Sequence, residues 1–286
     1  MAYLVAVDSG HGMETAGKRT PAIPEEWFGK KKGEVIHEKE FNKPAADYLI
    51  TALKRCGFQT LNVSPGTSDL PLTDRWKAAN AAKADIFISK HYNASTGNWG
   101  NAHGIETIIS QYAGEDSKKL ARLVQAELVQ AHKREDRGVK ADIVQSGINI
   151  AVLHNTNMPA ILTESGFMDN LAEAKTMLDP EFQKADGEAT CKGICNYFGV
   201  KYVEEILTPT KSITKTSPKE AITWLQQKLN TALPGVTYIP LIADGVFGTR
   251  TRIAVLIYWE FKGWKQDGKE DGWKVGPGTI KELARL

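Results

Sequence analysis

Along residues 1–200, short apolar runs that end in turn residues alternate with longer stretches whose apolar positions recur every three or four. The first run, Tyr3-Leu4-Val5-Ala6-Val7, is rich in β-formers and closes on Asp8-Ser9-Gly10-His11-Gly12, a buried strand entering a tight turn. Gln59 to Val63, Asp85 to Lys90, Ile105 to Ser110, Asn149 to Leu153 and Ala160 to Thr163 read as further strands. Between them, Phe41, Ala45, Leu49, Leu53 and Cys56 fall on one helical stripe, and Leu72 to Ala82 reads as a second helix. Asp116 to His132 is clearly amphipathic, and Ala172 to Phe198 is helical again. Pro44 lacks an N–H and is expected in the first turn of its helix, which puts Glu38 at or just before the helix start. The alternation predicts an α/β fold: a mostly parallel twisted sheet flanked by helices.

The pattern changes at Glu204. Thr208 to Ser217 has little to bury and reads as a linker, so the expected division is 1–203, a linker over 204–217, and 218–286. Ser217-Pro218-Lys219-Glu220 has the form of a capping box with proline at the first helical position. Three short helical patterns follow, around 218–231, 249–262 and 277–285, predicting a small all-α C-terminal domain. Asp244 to Thr249 is the turn between the first two.

Composition narrows the function classes. A formal net charge of +2 in 286 residues gives no whole-chain basic excess, so nucleic acid is not an expected partner. No apolar run is long enough for a transmembrane segment. Met1-Ala2-Tyr3 runs straight into the first strand without the features of a signal peptide, so synthesis in the cytoplasm is expected. Three cysteines, Cys56, Cys191 and Cys195, make no disulfide framework; the latter two, four apart, are expected on one buried face as small hydrophobes.

The chemistry lies at strand ends. His11 follows the first strand, His91 the third, and Glu164 the apolar strand Ala160-Ile161-Leu162-Thr163; open α/β sheets keep their active sites outside such ends. Glu38 is offered from the helix start nearby. Two histidines and a carboxylate around an open position form the hydrolytic zinc arrangement, with a further carboxylate as general base and acid. Composition and spacing leave open which of Glu38 and Glu164 is ligand and which is base. His37-Glu38-Lys39-Glu40-Phe41 begins like HExxH but has Phe at the second histidine, and no nucleophile elbow, Walker loop or dinucleotide fingerprint occurs. His37, His103, His132 and His154 read as surface or satisfied residues. The polar stretch containing Lys18-Arg19 and Lys30-Lys31-Lys32 reads as a long surface loop.

At these residues the chain resembles the zinc-dependent N-acetylmuramoyl-L-alanine amidases of bacterial autolysins and phage endolysins. The resemblance is carried by Asp8 to Gly12, Glu38 to Asn42, Arg75 with Ala79-Asn80, Ser89 to Ala94, Arg137 to Lys140, and Met158 to Phe167. It implies that His11, Glu38 and His91 bind Zn2+, that Glu164 is the catalytic base, and that 1–203 is the catalytic domain. The implied reaction is hydrolysis of the amide joining N-acetylmuramic acid to L-alanine in peptidoglycan. The long insertion between His11 and Glu38 departs from the family pattern, and its cations are candidates for stem-peptide carboxylates. Residues 218–286 resemble the three-helix peptidoglycan-binding domain through Ile222 to Leu229, Asp244 to Thr251, and Asp271 to Thr279, with Trp259, Trp264 and Trp273 as candidate sugar platforms. The expected setting is the bacterial cell wall, reached through a holin-type pore or by mother-cell lysis. The competing readings are a zinc peptidase cutting the stem and a non-catalytic wall-binding protein.

Overall fold

The computed structural model describes residues 2–205, 208–233, 239–264 and 271–286, and the chain divides into two compact units, Met1–Val203 and Glu204–Leu286. In chain order the first unit comprises β1 (Leu4–Ser9), α1 (Lys39–Arg55), β2 (Gln59–Asn62), α2 (Leu72–Ala81), β3 (Ile86–Asn93), β4 (Ile105–Ile109) and α3 (Glu115–His132). It continues with β5 (Asp136–Ala141), α4 (Asp142–Ser146), α5 (Ala151–His154), β6 (Ala160–Phe167), α6 (Leu171–Ala174) and α7 (Pro180–Phe198).

The strands form one sheet in the order β2-β1-β3-β6-β4-β5. β1 pairs in parallel with β2 and β3, and β3 with β6; β4 runs antiparallel to β6, with β5 parallel to β4. The sheet is therefore mostly parallel, as the alternation predicts. The reversal has a simple cause: residues 94–104 join β3 to β4 without a crossover helix, so the chain re-enters the sheet at the same end of the strands from which it left.

Alternate side chains of the strands feed two cores. Val5, Val7, Ile86, Ile88 and Ile161 pack with Leu49, Leu53, Leu120, Val124 and Ile194 of α1, α3 and α7. On the other face Ala6, Phe87 and Leu162 meet Ala79, Val152 and Leu153 of α2 and α5. Helix α7 presses closely on its neighbours: a Cβ at Gly187 would lie 2.6 Å from the Leu49 nitrogen, and one at Gly193 2.6 Å from the Val124 Cα.

Several local expectations are corrected. Pro44 lies well inside α1 rather than in its first turn. The carbonyl that Pro44 cannot serve belongs to Glu40, and Gln183 of α7 donates to it at 3.1 Å from the same amide that bonds the Met177 carbonyl at 2.7 Å. The run Asn149 to Leu153 is not a strand; Ala151–His154 forms a single helical turn, entered where the Ile150 N–H bonds Asp142. Such short apolar runs have no period to separate strand from helix. The strands carrying His91 and Glu164 continue past both residues instead of ending before them. β5, an edge strand rich in charge, has no apolar alternation to announce it.

The second unit contains β7 (Ile213–Thr214), α8 (Lys219–Ala232), α9 (Thr249–Phe261), β8 (Lys274–Val275) and α10 (Pro277–Leu283). Its core is Ile222, Leu225, Leu229, Ala254, Tyr258, Trp259, Ile280 and Leu283. The end of the expected linker is not free: Ile213 is buried and pairs with Val275, while Ile206 and Leu207 lie outside the described residues. The capping box does not form; Pro218 takes the cap position and the Ser217 hydroxyl accepts from Thr214 N–H. Buried Gln226 holds the 244–249 turn, donating to Asp244 and the Val246 carbonyl and accepting from Gly245 N–H. Trp259 is a core residue whose indole N–H bonds Thr279, whereas Trp264 is exposed and Trp273 is half-buried beneath Lys215. No helix among the described residues is long and apolar enough to cross a membrane.

Gln183→Leu should destabilise the fold by about 1–3 kcal/mol, the usual cost of stranding buried carbonyls. A lowered urea midpoint checks this; an unchanged midpoint would mean that water serves the Glu40 carbonyl.

Candidate metal centre

The site is assembled where the loop after β1 meets the start of α1 and the ends of β3 and β6. Lys39, buried in the first turn of α1, donates to the Ser9 carbonyl and hydroxyl, both at 2.7 Å, and Asn42 donates to the Gly10 carbonyl at 3.1 Å. Burial pushes the Lys39 ammonium down to about 8, against the attraction of Asp8. These bonds fix the loop over the helix start. Gly10 must be glycine, because a Cβ there would lie 2.0–2.6 Å from atoms of the His91 ring. His11 follows with a left-handed backbone, φ 59°, a conformation that turns its side chain inward at some local cost.

Three donors converge. The Glu38 carboxylate, 1 % exposed, lies between the two imidazoles: Oε1 is 2.9 Å from His91 Nδ1 and Oε2 is 3.4 Å from His11 Nε2. The ligand atoms of His11, Glu38 and His91 all lie within 4.8 Å of one another, and the two rings meet edge to face. Asn42 and the Tyr92 N–H also donate to Glu38 Oε1. Burial opposes ionisation of Glu38, but in acid the charge on protonated His11 and a proton shared with His91 outweigh it and hold the carboxyl well below its usual range. Burial pushes His11 down to about 4, against the pull of Glu38, so at neutral pH its imidazole is uncharged and has a lone pair to give.

The far side of His91 explains its orientation. Its Nε2 is 3.1 Å from the Ser89 hydroxyl, which donates to Asp8 at 2.7 Å; Asp8 is in turn paired with buried Arg75 at 3.0 Å. With its proton committed to Asp8, the Ser89 oxygen can only accept, so Nε2 carries the hydrogen. Nδ1 then faces the Glu38 carboxylate at 2.9 Å as a second acceptor, and the pair needs a shared cation, either a proton or a metal ion. The donor set of two imidazoles and one carboxylate fits a borderline divalent metal.

Glu164 stands beside this cluster. In the parallel register it is the partner of His91, so both side chains leave the same face of the sheet. Its Oε2 is buried with no hydrogen-bond partner. Burial, then repulsion from Glu38 and Glu106 against the pull of Lys18 and Lys90, raises its pKa well above the carboxylate range. Glu106, opposite it on the antiparallel side, is fully buried and held by Asn93, Arg137 and Lys140. His11, Glu38, His91, Glu164 and Lys18 together line a cleft of about 400 Å³ that is bounded by α2 and the α4–α5 segment.

The structure thus brings together all four residues singled out from the sequence. His37, His103, His132 and His154 stay out of the cluster; His103 pairs with Glu135 and His132 stacks on Phe182. The sequence reading missed the Ser89–Asp8–Arg75 brace, although the two-residue spacing of Ser89 and His91 on one strand already puts them on one face.

Similarity to known proteins points to one family. A family model described as N-acetylmuramoyl-L-alanine amidase matches residues 5–196. YqiI of Bacillus subtilis (strain 168) is 31% identical over 195 residues, covering 68% of this chain and 84% of that protein. The endolysin of Bacillus phage SPP1 is 30% identical over 223 residues, 77% of this chain and 74% of that protein. The crystal structure of an N-acetylmuramoyl-L-alanine amidase from Clostridium difficile 630 superposes with a TM-score of 0.59 at 31% identity, covering 69% of this chain and 97% of that one.

Ser89→Ala removes no metal donor but frees the far side of His91. Its expected effect is a 10–100-fold loss of metal affinity in chelator competition. Unchanged affinity would show that Ser89 does not orient the ring.

Proposed function

This chain belongs to the N-acetylmuramoyl-L-alanine amidase family, and we propose that it is a zinc enzyme hydrolysing the amide between N-acetylmuramic acid and L-alanine in peptidoglycan. The observation that carries the reading is the convergence of His11, Glu38 and His91 within 4.8 Å, with Glu164 in register beside His91. In this reading His11, Glu38 and His91 hold Zn2+, and Glu164 is the catalytic base. Zinc bound there supplies Lewis acidity, polarising the scissile carbonyl and making water acidic near neutral pH.

Glu164 takes one proton from the attacking water as the water oxygen bonds to the carbonyl carbon. The carbon–nitrogen bond then breaks, and Glu164 returns that proton to the departing alanine nitrogen. The products are the lactyl carboxyl group of the muramic acid, whose remaining water-derived proton passes to the amine or to solvent, and a stem peptide with a free amino terminus. Burial and the neighbouring carboxylates shift the Glu164 carboxyl upward, the direction needed by a group that takes up a proton and returns it. Lys18, on the rim of the same cleft, is the cation available to a stem-peptide carboxylate.

The likeness to the phage SPP1 endolysin supports a lytic role, and the small C-terminal unit is read as the wall-binding module, with Trp264 and Phe261 among its exposed aromatic side chains. Tethering such a module to the catalytic unit raises the local concentration of the cleft at the wall.

Digestion of purified cell walls tests the proposal. Free L-alanine amino termini should appear, chelation should stop their release, and added zinc should restore it. Glu164→Gln should lower turnover about 10²–10⁴-fold with zinc content intact. Other new amines would make the enzyme a stem peptidase, no release would make it a binder, and loss of zinc from Glu164→Gln would exchange the roles of the two glutamates.

A further inference from the structure

A second cluster of ligating side chains lies at the opposite end of α1. Cys56 caps that helix at its C-terminus, while Cys191 and Cys195 occupy successive turns of α7, and all three thiols are free and buried. From Glu38 to Cys56 is the length of α1, roughly 27 Å at 1.5 Å per residue, so this cluster is separate from the catalytic cleft. Nothing in the proposed reaction uses it.

The three sulfurs lie within 4.8 Å of one another, and Cys56 Sγ is 3.8 Å from Cys191 Sγ. A metal–sulfur bond of about 2.3 Å sets neighbouring sulfurs about 3.8 Å apart in a tetrahedral site and about 4.0 Å apart in a trigonal one. The cluster is therefore already near the spacing of a three-sulfur site. Its surroundings suit charged sulfur at one point: the Val203 N–H donates to Cys56 Sγ at 3.3 Å, the kind of hydrogen bond that steadies a metal-bound thiolate. Arg55 braces the segment that supplies this donor, bonding the Val203 carbonyl at 2.7 Å and pairing with Glu188.

We propose that Cys56, Cys191 and Cys195 form a second metal site, selective for thiophilic cations and distinct from the catalytic centre. Thiolate sulfur selects such ions, whereas the imidazole and carboxylate donors of the cleft do not. Binding a divalent ion converts three thiols to thiolates and releases three protons to solvent, leaving one net negative charge on the cluster. The site ties the end of α1, helix α7 and the segment through Val203 into one unit. It thereby fastens the last residues of the catalytic unit.

The probe is Cd2+, titrated into the full-length protein under reducing conditions. One equivalent should produce an ultraviolet sulfur-to-cadmium charge-transfer band, which the nitrogen and oxygen donors of the cleft cannot give. At a hundredfold excess over Kd the thermal midpoint of the catalytic unit should rise by roughly 5–10 °C. Cys191→Ser should lose both effects and keep wall hydrolysis. Cys56→Ala, at the helix end, provides the same comparison if Cys191→Ser does not fold. Absence of the band in the wild-type protein would overturn the proposal, leaving the thiols as packed small hydrophobes. So would its full persistence in either variant, or a midpoint that Cd2+ lowers.

Discussion

The catalytic unit depends on a carboxylate kept where a carboxylate is expensive to keep. Glu38 is almost wholly removed from water, and its charge is held by an amide side chain and a backbone N–H that donate to it and by the cation it shares with the imidazoles. A charge in such a place is stable only while its partners remain in position. That requirement reaches outward into the fold. Lys39 and Asn42 hold the β1 loop that carries His11, Gly10 leaves room for the His91 ring, and Ser89, Asp8 and Arg75 hold the ring from behind.

Much of the site was legible because it lies just after short apolar runs, and these are marked twice: by their composition and by the polar and turn residues that follow. His11, His91 and Glu164 all carry that signature. What the sequence did not reveal is registration. Nothing in the order of residues says that His91 and Glu164 are neighbours across a parallel pair, or that Glu38 rather than Glu164 lies between the imidazoles. Those facts belong to the sheet order, which only long-range pairing decides.

The misread elements fail for the same physical reason. Pro44 violates a local rule inside α1 and is tolerated because Gln183, far along the chain, serves the freed Glu40 carbonyl. The Asn149 to Leu153 run has strand composition, yet the Asp142 bond to Ile150 starts a helical turn there. β5 has no strand composition at all, and it is ordered by pairing with β4 while Arg137 and Lys140 reach buried Glu106. In each case a partner outside the element itself outweighs a local preference, and the apolar pattern of that element does not reveal it.

The two ends of helix α1 therefore adjoin two different donor sets, Glu38 with two imidazoles from other elements at the start and three sulfurs at the finish. The most direct test of the account is diffraction from crystals of the zinc-loaded protein, recorded on both sides of the zinc absorption edge. The expected result is an anomalous peak between His11 Nε2, His91 Nδ1 and the Glu38 carboxylate, with Glu164 facing it and not bound to it. A cleft without a peak, or one in which Glu164 replaces Glu38 as ligand, would contradict it.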